Sequence, residues 1–256
     1  MLSDLLNLDA LNLDAWTLFL AVVAAATIGL SKGGLQIASM FAVPVLAIAL
    51  PPLVAAATLL PVLIAADVVS VVAYRKYADW RLLKVLLPGM LAGVGVGWLT
   101  ASWVPVPWIM FTIGAIGLFY CVRTVLAPAR TASSTRAGLF WSLVSGFTSF
   151  ISHSGGAPYQ IFMASQPILK LAYAGTTALA FATVNLVKIY PYWRLGAFES
   201  GLWQLSLLLI PVGALFTAIG IGLLKIVSEA TFRRVLDVAL FAISAKLMFD
   251  GIAAAL

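Results

Sequence analysis

Three long apolar stretches, Leu53–Ala73, Leu202–Leu224 and Val235–Phe249, leave this chain few ways to fold. In hydrocarbon every backbone N–H and C=O needs a partner within the protein, so only helices and closed barrels span a bilayer. Barrel strands are short and alternate apolar with polar residues; these stretches do neither. The composition points the same way, with 63% apolar residues, 9% charged residues and a mean hydropathy of +1.09. A soluble domain carries roughly 25% charged residues, so lipid must be the solvent here. The expected fold class is an all-α polytopic membrane protein.

The composition also excludes several functions. A net charge of +6 would suit nucleic acid, but the basic residues sit in short loops between apolar segments, so no nucleic-acid partner is expected. A single cysteine, Cys121, rules out an intramolecular disulfide. A single histidine, His153, rules out a multi-histidine metal site. No cofactor is implied, and the absence of a Walker motif argues against ATP-driven transport. The first residues carry Asp4, Asp9 and Asp14 and no basic residue, unlike a signal peptide.

Apolar segments fall at about 15–30, 35–50, 53–74, 82–101 and 105–127, and again at about 138–152, 159–170, 171–192, 202–226 and 233–254. Residues 128–137, starting at Pro128 and rich in Ser and Thr, read as a linker between repeats 1–127 and 138–256. Both halves place a glycine pair after their first helix, Ser31-Lys32-Gly33-Gly34 and His153-Ser154-Gly155-Gly156. Both then have a threonine-bearing helix and a proline-led, glycine-rich helix. An offset of 118 residues superposes Thr58 on Thr176 and Asp67 on Asn185, as an internal repeat would.

Lys and Arg concentrate on cytoplasmic loops. Arg75, Lys76, Arg81 and Lys84 flank one loop; Arg123, Arg130 and Arg136 flank the linker; Lys225, Arg233 and Arg234 flank a third. Counting spans makes all three cytoplasmic and puts both termini outside a cytoplasmic (inner) membrane. Five segments per half place the second half in the opposite orientation, an inverted-topology repeat. The segments near 31–50 and 153–170 are shorter than the roughly 20 residues a span needs. Each half is therefore expected to hold a broken or re-entrant helix pair plus about three full spans.

Ser31-Lys-Gly-Gly34, Ala55-Ala-Ala-Thr58, Tyr74-Arg75 and Asp79-Trp-Arg81 together resemble the TauE/SafE family of sulfite exporters, and the pattern recurs as His153-Ser-Gly-Gly156, Ala174-Gly-Thr-Thr177 and Gly196-Ala197-Phe198. The likeness covers nearly the whole chain. It implies a secondary transporter that exports sulfite, a sulfonate or a related small sulfur-containing anion without ATP. The chain departs from the family pattern at Lys32, where a small or apolar residue is expected, and in its lean second glycine cluster with His153 and Ala157.

An anion crossing a low-dielectric layer needs partial positive charge that does not trap it. Helix N-termini supply it, and glycine lets an anion approach the backbone closely. Gly33-Gly34 and Gly155-Gly156 are thus expected to open two half-helices near the midplane, with Ser31, Ser154, Thr58, Thr176 and Thr177 adding hydroxyl donors. The bland alternative is that the glycines merely let helices pack closely. Lys32 is a candidate counter-charge or a snorkelling lysine; His153 a candidate anion ligand or proton relay, or a packed polar residue. Asp67, an intramembrane carboxylate, is expected either to couple protons or to pair with Lys32 or Lys188. Asn185 and Lys188 form a polar face on the second half. The glycines Gly89, Gly93 and Gly97 follow small-xxx-small spacing and read as a packing seam.

The expected partners are a small anionic substrate and the lipid bilayer, and a homo-oligomer is compatible with the sequence. Two other functions compete. A passive anion channel can use the same dipoles and lysines. An intramembrane hydrolase would need facing serine and histidine side chains, whereas His153 and Ser154 are adjacent, and no Gly-x-Ser-x-Gly is present.

Overall fold

The computed structural model describes residues 13–32, 36–101, 103–126, 134–163, 166–198, 202–223 and 229–255. Most of these residues are helical, and there is no strand among them. The first half runs α1 (Ala15–Lys32), a 3-10 turn (Gln36–Phe41) leading into α2 (Ala42–Leu46), α3 (Pro52–Tyr74), α4 (Trp80–Ala101) and α5 (Val106–Leu126). The second runs α6 (Thr135–Ser152), α7 (Gly156–Met163), α8 (Lys170–Arg194), α9 (Trp203–Leu223) and α10 (Glu229–Ala255). Local chemistry sets several of these ends. Pro52 opens α3, where a missing N–H costs nothing. Ser134 caps α6 by accepting from the Ala137 N–H at 3.1 Å. Residues 134–137 form the cap and first turn of α6, and residues 127–133 lie outside the described residues.

Four segments among the described residues are long and apolar enough to cross a membrane: Ala15–Lys32, Pro52–Tyr77, Trp80–Ala101 and Trp203–Gly220. α8 and α10, with 25 and 27 residues, have ample length but carry more polar side chains. Large apolar residues line the outside, such as Val69 at 67%, Leu99 at 67% and Phe249 at 71% exposure. Water would penalise such a surface heavily, and lipid does not. The protein is a multi-pass membrane protein.

Helices associate where small residues bring backbones together, because lipid gives no hydrophobic drive for packing. α4 lies along α6, α1 along α9, α5 along α10 and α3 along α8. Gly89, Gly93 and Gly97 of α4 form the seam against α6, where an added Cβ would meet Ser142 Oγ, the Leu143 carbonyl and Phe150. In return, a Cβ at Gly146 would come within 1.9 Å of the Met90 carbonyl oxygen. Gly29 meets Gly213 across α1 and α9 in the same way. Backbone cannot yield as a side-chain tip does. Gly146→Val is therefore expected to lower the melting temperature in detergent sharply, by the equivalent of at least about 1–3 kcal/mol, whereas Gly95→Ala, with nothing within 4 Å, should leave it unchanged.

Candidate functional site

α6 ends abruptly at Ser152. His153 follows in the left-handed conformation, with φ 55° and ψ 17°, and is the sole non-glycine residue with positive φ among the described residues. Its N–H donates to the Ser149 carbonyl at 3.1 Å, and the next N–H, of Ser154, to the Thr148 carbonyl at 3.3 Å. This conformation is unfavourable for a residue with a Cβ, and such strain persists only where the surroundings over-determine it. Here they do. His153 Nε2 lies 2.8 Å from the Ala56 carbonyl oxygen of α3, and Nδ1 lies 2.9 Å from Lys188 Nζ of α8.

Lys188 is fully buried. Besides His153 it contacts the Ser149 carbonyl at 3.0 Å and Ser149 Oγ at 3.1 Å. One turn earlier on α8, Asn185 Nδ2 donates to Asp67 Oδ2 at 2.5 Å. The other oxygen of Asp67 forms an ion pair with Lys32, at the end of α1. Of the two roles expected for Asp67, the ion pair with Lys32 is thus present, and Asn185 donates to the second oxygen of the carboxylate. Beyond Lys188, Tyr192 donates to the Phe150 carbonyl at 2.5 Å and is itself buried.

These groups border a cavity of about 260 Å³. Six of the residues singled out in the sequence line it: Ser31, Lys32, His153, Gly156, Thr177 and Asn185. Asp67 and Lys188 stand directly behind that wall, bonded to residues that line it. Thr58 bonds its own helix, at the Val54 carbonyl, and Thr176 ties α8 to the loop before α4 by accepting from the Asp79 N–H at 2.9 Å. Ser154 pairs with Ser152, and neither Thr58, Thr176 nor Ser154 lines the cavity. Gly33 and Gly34 lie outside the described residues, and the segment that follows them is a 3-10 turn.

The two glycines of the second pair differ. A Cβ at Gly155 would strike the Ser145 carbonyl oxygen at 2.6 Å and Ser149 Cβ at 2.7 Å. The Gly155 carbonyl, in turn, accepts from Ser145 Oγ at 2.7 Å. Gly155 is a close-packing residue that folds the chain back against α6. Gly156 has open space around its missing Cβ and lines the cavity at the start of α7.

Sequence reasoning missed the aromatic and serine lining: Ser39, Ser70, Tyr74, Ser149, Tyr159, Tyr173 and Phe181. Tyr159 is buried, with its hydroxyl 3.0 Å from Thr177 Oγ1 and its ring against Tyr173 and Phe181. A tyrosine inside a short apolar segment was the available signal, since its hydroxyl must find a partner. Ser149 had its own signal, the run Ser142, Ser145, Thr148, Ser149, Ser152 at helical spacing.

No curated protein and no solved structure matches the chain. A family model does: that of the Sulfite exporter TauE/SafE, over residues 15–247. This is a family of transporters and not of enzymes, and its members imply an anionic substrate and a lipid bilayer. With its helical membrane fold and a match from the first helix almost to the end of the last, the chain belongs to the sulfite exporter TauE/SafE family.

Proposed function

We propose that this protein is a secondary transporter that exports a small sulfur-containing anion, sulfite or a small organosulfonate, across the cytoplasmic membrane. The observation that carries the reading is the charge balance around the cavity. Lys32 and Asp67 cancel, while Lys188 forms no ion pair with a carboxylate among the described residues. A protonated Lys188 therefore leaves one net positive charge in low dielectric beside a polar cavity. Burying such a charge is expensive unless something neutralises it, and an anion in the cavity would.

The anion site in this reading joins Lys32, Asn185 and Ser31 to the start of α7 at Gly156, where a helix N-terminus favours negative charge, with His153 and Thr177 shaping the wall. Asp67 holds Lys32 in place. The cavity volume of about 260 Å³ is below the roughly 300–1,000 Å³ of drug-sized ligand sites, as suits a small anion.

Tyr74 at the end of α3 and Tyr173 at the start of α8 also line the cavity, beside the exposed Arg75, Lys76 and Arg81. By the positive-inside rule that end faces the cytoplasm, so the cavity would load from inside. Buried Lys188 and Tyr192 with Phe150 stand towards the other end of α8, which favours a carrier over an open channel. Alternating access between inverted repeats is supported by the reciprocal packing of α1 on α9 and α6 on α4. Asp67 and Asn185, one repeat apart, touch each other, as residues near a pseudo-two-fold axis would.

Purified protein in liposomes loaded with sulfite tests this reading. Efflux should saturate with internal sulfite and be accelerated by external sulfite. Efflux that rises linearly with concentration, without exchange, would assign a channel; none at all would remove sulfite from the reading.

A further inference from the structure

We propose that Lys188, His153 and Ser149 form the site of a coupling proton that is taken up together with the anion; this rests on the anion reading of the cavity above. The argument starts from hydrogen-bond accounting. The Ala56 carbonyl accepts only, so His153 Nε2, at 2.8 Å, must carry a proton. Nδ1 of a neutral ring is then an acceptor, and Lys188 Nζ at 2.9 Å is its donor. Lys188 also faces the Ser149 carbonyl at 3.0 Å, which again only accepts.

The fourth contact decides the matter, because it works in both directions. Ser149 Oγ lies 3.1 Å from Lys188 Nζ, and a hydroxyl donates or accepts by rotating its hydrogen. With Lys188 as an ammonium, its three hydrogens go to the Ser149 carbonyl, Ser149 Oγ and His153 Nδ1. With Lys188 as a neutral amine, its two hydrogens go to the same carbonyl and to Nδ1, and its lone pair accepts the Ser149 hydroxyl hydrogen. Both protonation states satisfy the contacts of Lys188 without moving a heavy atom, and in both Lys188 donates to Nδ1 and to the Ser149 carbonyl, two acceptors that stand 3.2 Å apart. A lysine held for structure alone would be expected to sit opposite a carboxylate, as Lys32 does.

Ser149 and His153 line the cavity, whereas Lys188 lies behind them. Loading is therefore a relay. A cavity hydronium passes a proton to Ser149 Oγ, and Oγ passes its own hydrogen to the Lys188 lone pair. One proton leaves the water, one arrives on Nζ, and the hydroxyl is restored. In the charged state Oγ accepts from Lys188, so its hydrogen is released to point into the cavity as a donor. Protonation thus adds one positive charge and one hydrogen-bond donor to the anion site, and anion and proton bind cooperatively. A monoanion then crosses without net charge.

Other charged and titratable side chains lie on the elements packed around Lys188. α1 and α3 present Lys32 and Asp67, which pair with each other. α6 presents His153, and α8 itself adds Tyr192, bonded to the Phe150 carbonyl. On α4 the basic residues Arg81 and Lys84 are exposed in its first two turns.

The chain has one histidine, so 15N-histidine labelling of the full protein in lipid nanodiscs reads His153 alone. The probe anion is methanesulfonate, ionised at every pH used, so any proton bound belongs to the protein. Spectra from about pH 5 to about pH 9 should show an Nε2–H ring whose Nδ1 signal moves in one step. Saturating methanesulfonate should shift that step to higher pH, and its affinity should fall towards tenfold per pH unit above the step, the limit for one linked proton. Lys188→Met should abolish the step, and Asp67→Asn should keep it. If Lys188→Met does not fold, Ser149→Ala provides the second variant, with the anion-linked shift reduced. An Nδ1 signal flat across the range, a step retained in Lys188→Met, or methanesulfonate binding independent of pH would overturn the proposal. The step is read without any anion, so its absence removes the proton site even if anions bind. A step accompanied by no binding of methanesulfonate or sulfite overturns the anion reading instead.

Discussion

Replacing Lys32 with methionine is expected to destabilise the protein by about 3–5 kcal/mol, the usual penalty for stranding one member of a buried ion pair. Asp67 has a side chain only 3% exposed, and Lys32 is its sole cationic partner in an ion pair among the described residues. Asn185 supplies one neutral hydrogen bond, which cannot offset a full charge in low dielectric. The loss should appear as a much lower melting temperature in detergent and poor recovery from the membrane. The double variant Lys32→Gln with Asp67→Asn removes both charges while keeping side chains able to hydrogen-bond. It is expected to recover most of the stability and none of the sulfite efflux. Equal instability of the single and double variants would show that shape and not charge holds α1 against α3. Full efflux in the double variant would take Lys32 out of the anion site.

The second large effect separates two adjacent glycines. Gly155→Ala places a Cβ within 2.6 Å of the Ser145 carbonyl oxygen, in the turn that folds α7 back on α6. Overpacking against backbone is expected to cost at least about 1–3 kcal/mol and to displace His153, so both melting temperature and transport should fall. Gly156→Ala meets no atom within 4 Å, so the fold should be untouched. Its methyl group would project at the start of α7, where Gly156 lines the cavity. Sulfite efflux by Gly156→Ala should then show a raised KM at an unchanged melting temperature, and Gly156→Leu should abolish efflux while the protein remains folded. A Gly155→Ala protein with normal stability would remove the packing role assigned here. A Gly156→Leu protein with normal efflux would move the anion site elsewhere.

Much of the architecture was legible in the sequence because the bilayer is an exacting solvent. Long apolar runs can only be helices there, and their ends are marked by proline and basic residues, as at Pro52 and Tyr74-Arg75. The glycine spacing of α4 foretold a close helix contact, and the backbone of α6 is what it meets. The break after α6 was visible too, since His153-Ser154-Gly155-Gly156 ends one helix before α7 begins.

The site was legible only in part. Lys32, Asp67, Asn185 and Lys188 stood out because polar groups are rare in such segments. Their partners could not be read, because pairing depends on which helix faces which. Lys32 and Asp67 are 35 residues apart, and Asp67 and Asn185 are 118 apart. Ser149 was one serine among four on α6, and only the approach of Lys188 gives it a distinct place. The threonines show the opposite failure: Thr58 and Thr176 looked like cavity donors, yet each is turned to a backbone partner. A hydroxyl on a helix satisfies itself locally unless packing aims it elsewhere.

The sequence by itself therefore determined the solvent, the helices, their breaks and the residue types that a charged substrate would need. Burial of polar groups in lipid is costly enough that their mere presence carries information. Only the tertiary structure decided which charges cancel and which do not: Lys32 lies against Asp67, whereas Lys188 lies against a histidine and a serine. That difference follows from how α1, α3, α6 and α8 meet around the cavity, a long-range arrangement that no local pattern along the chain encodes.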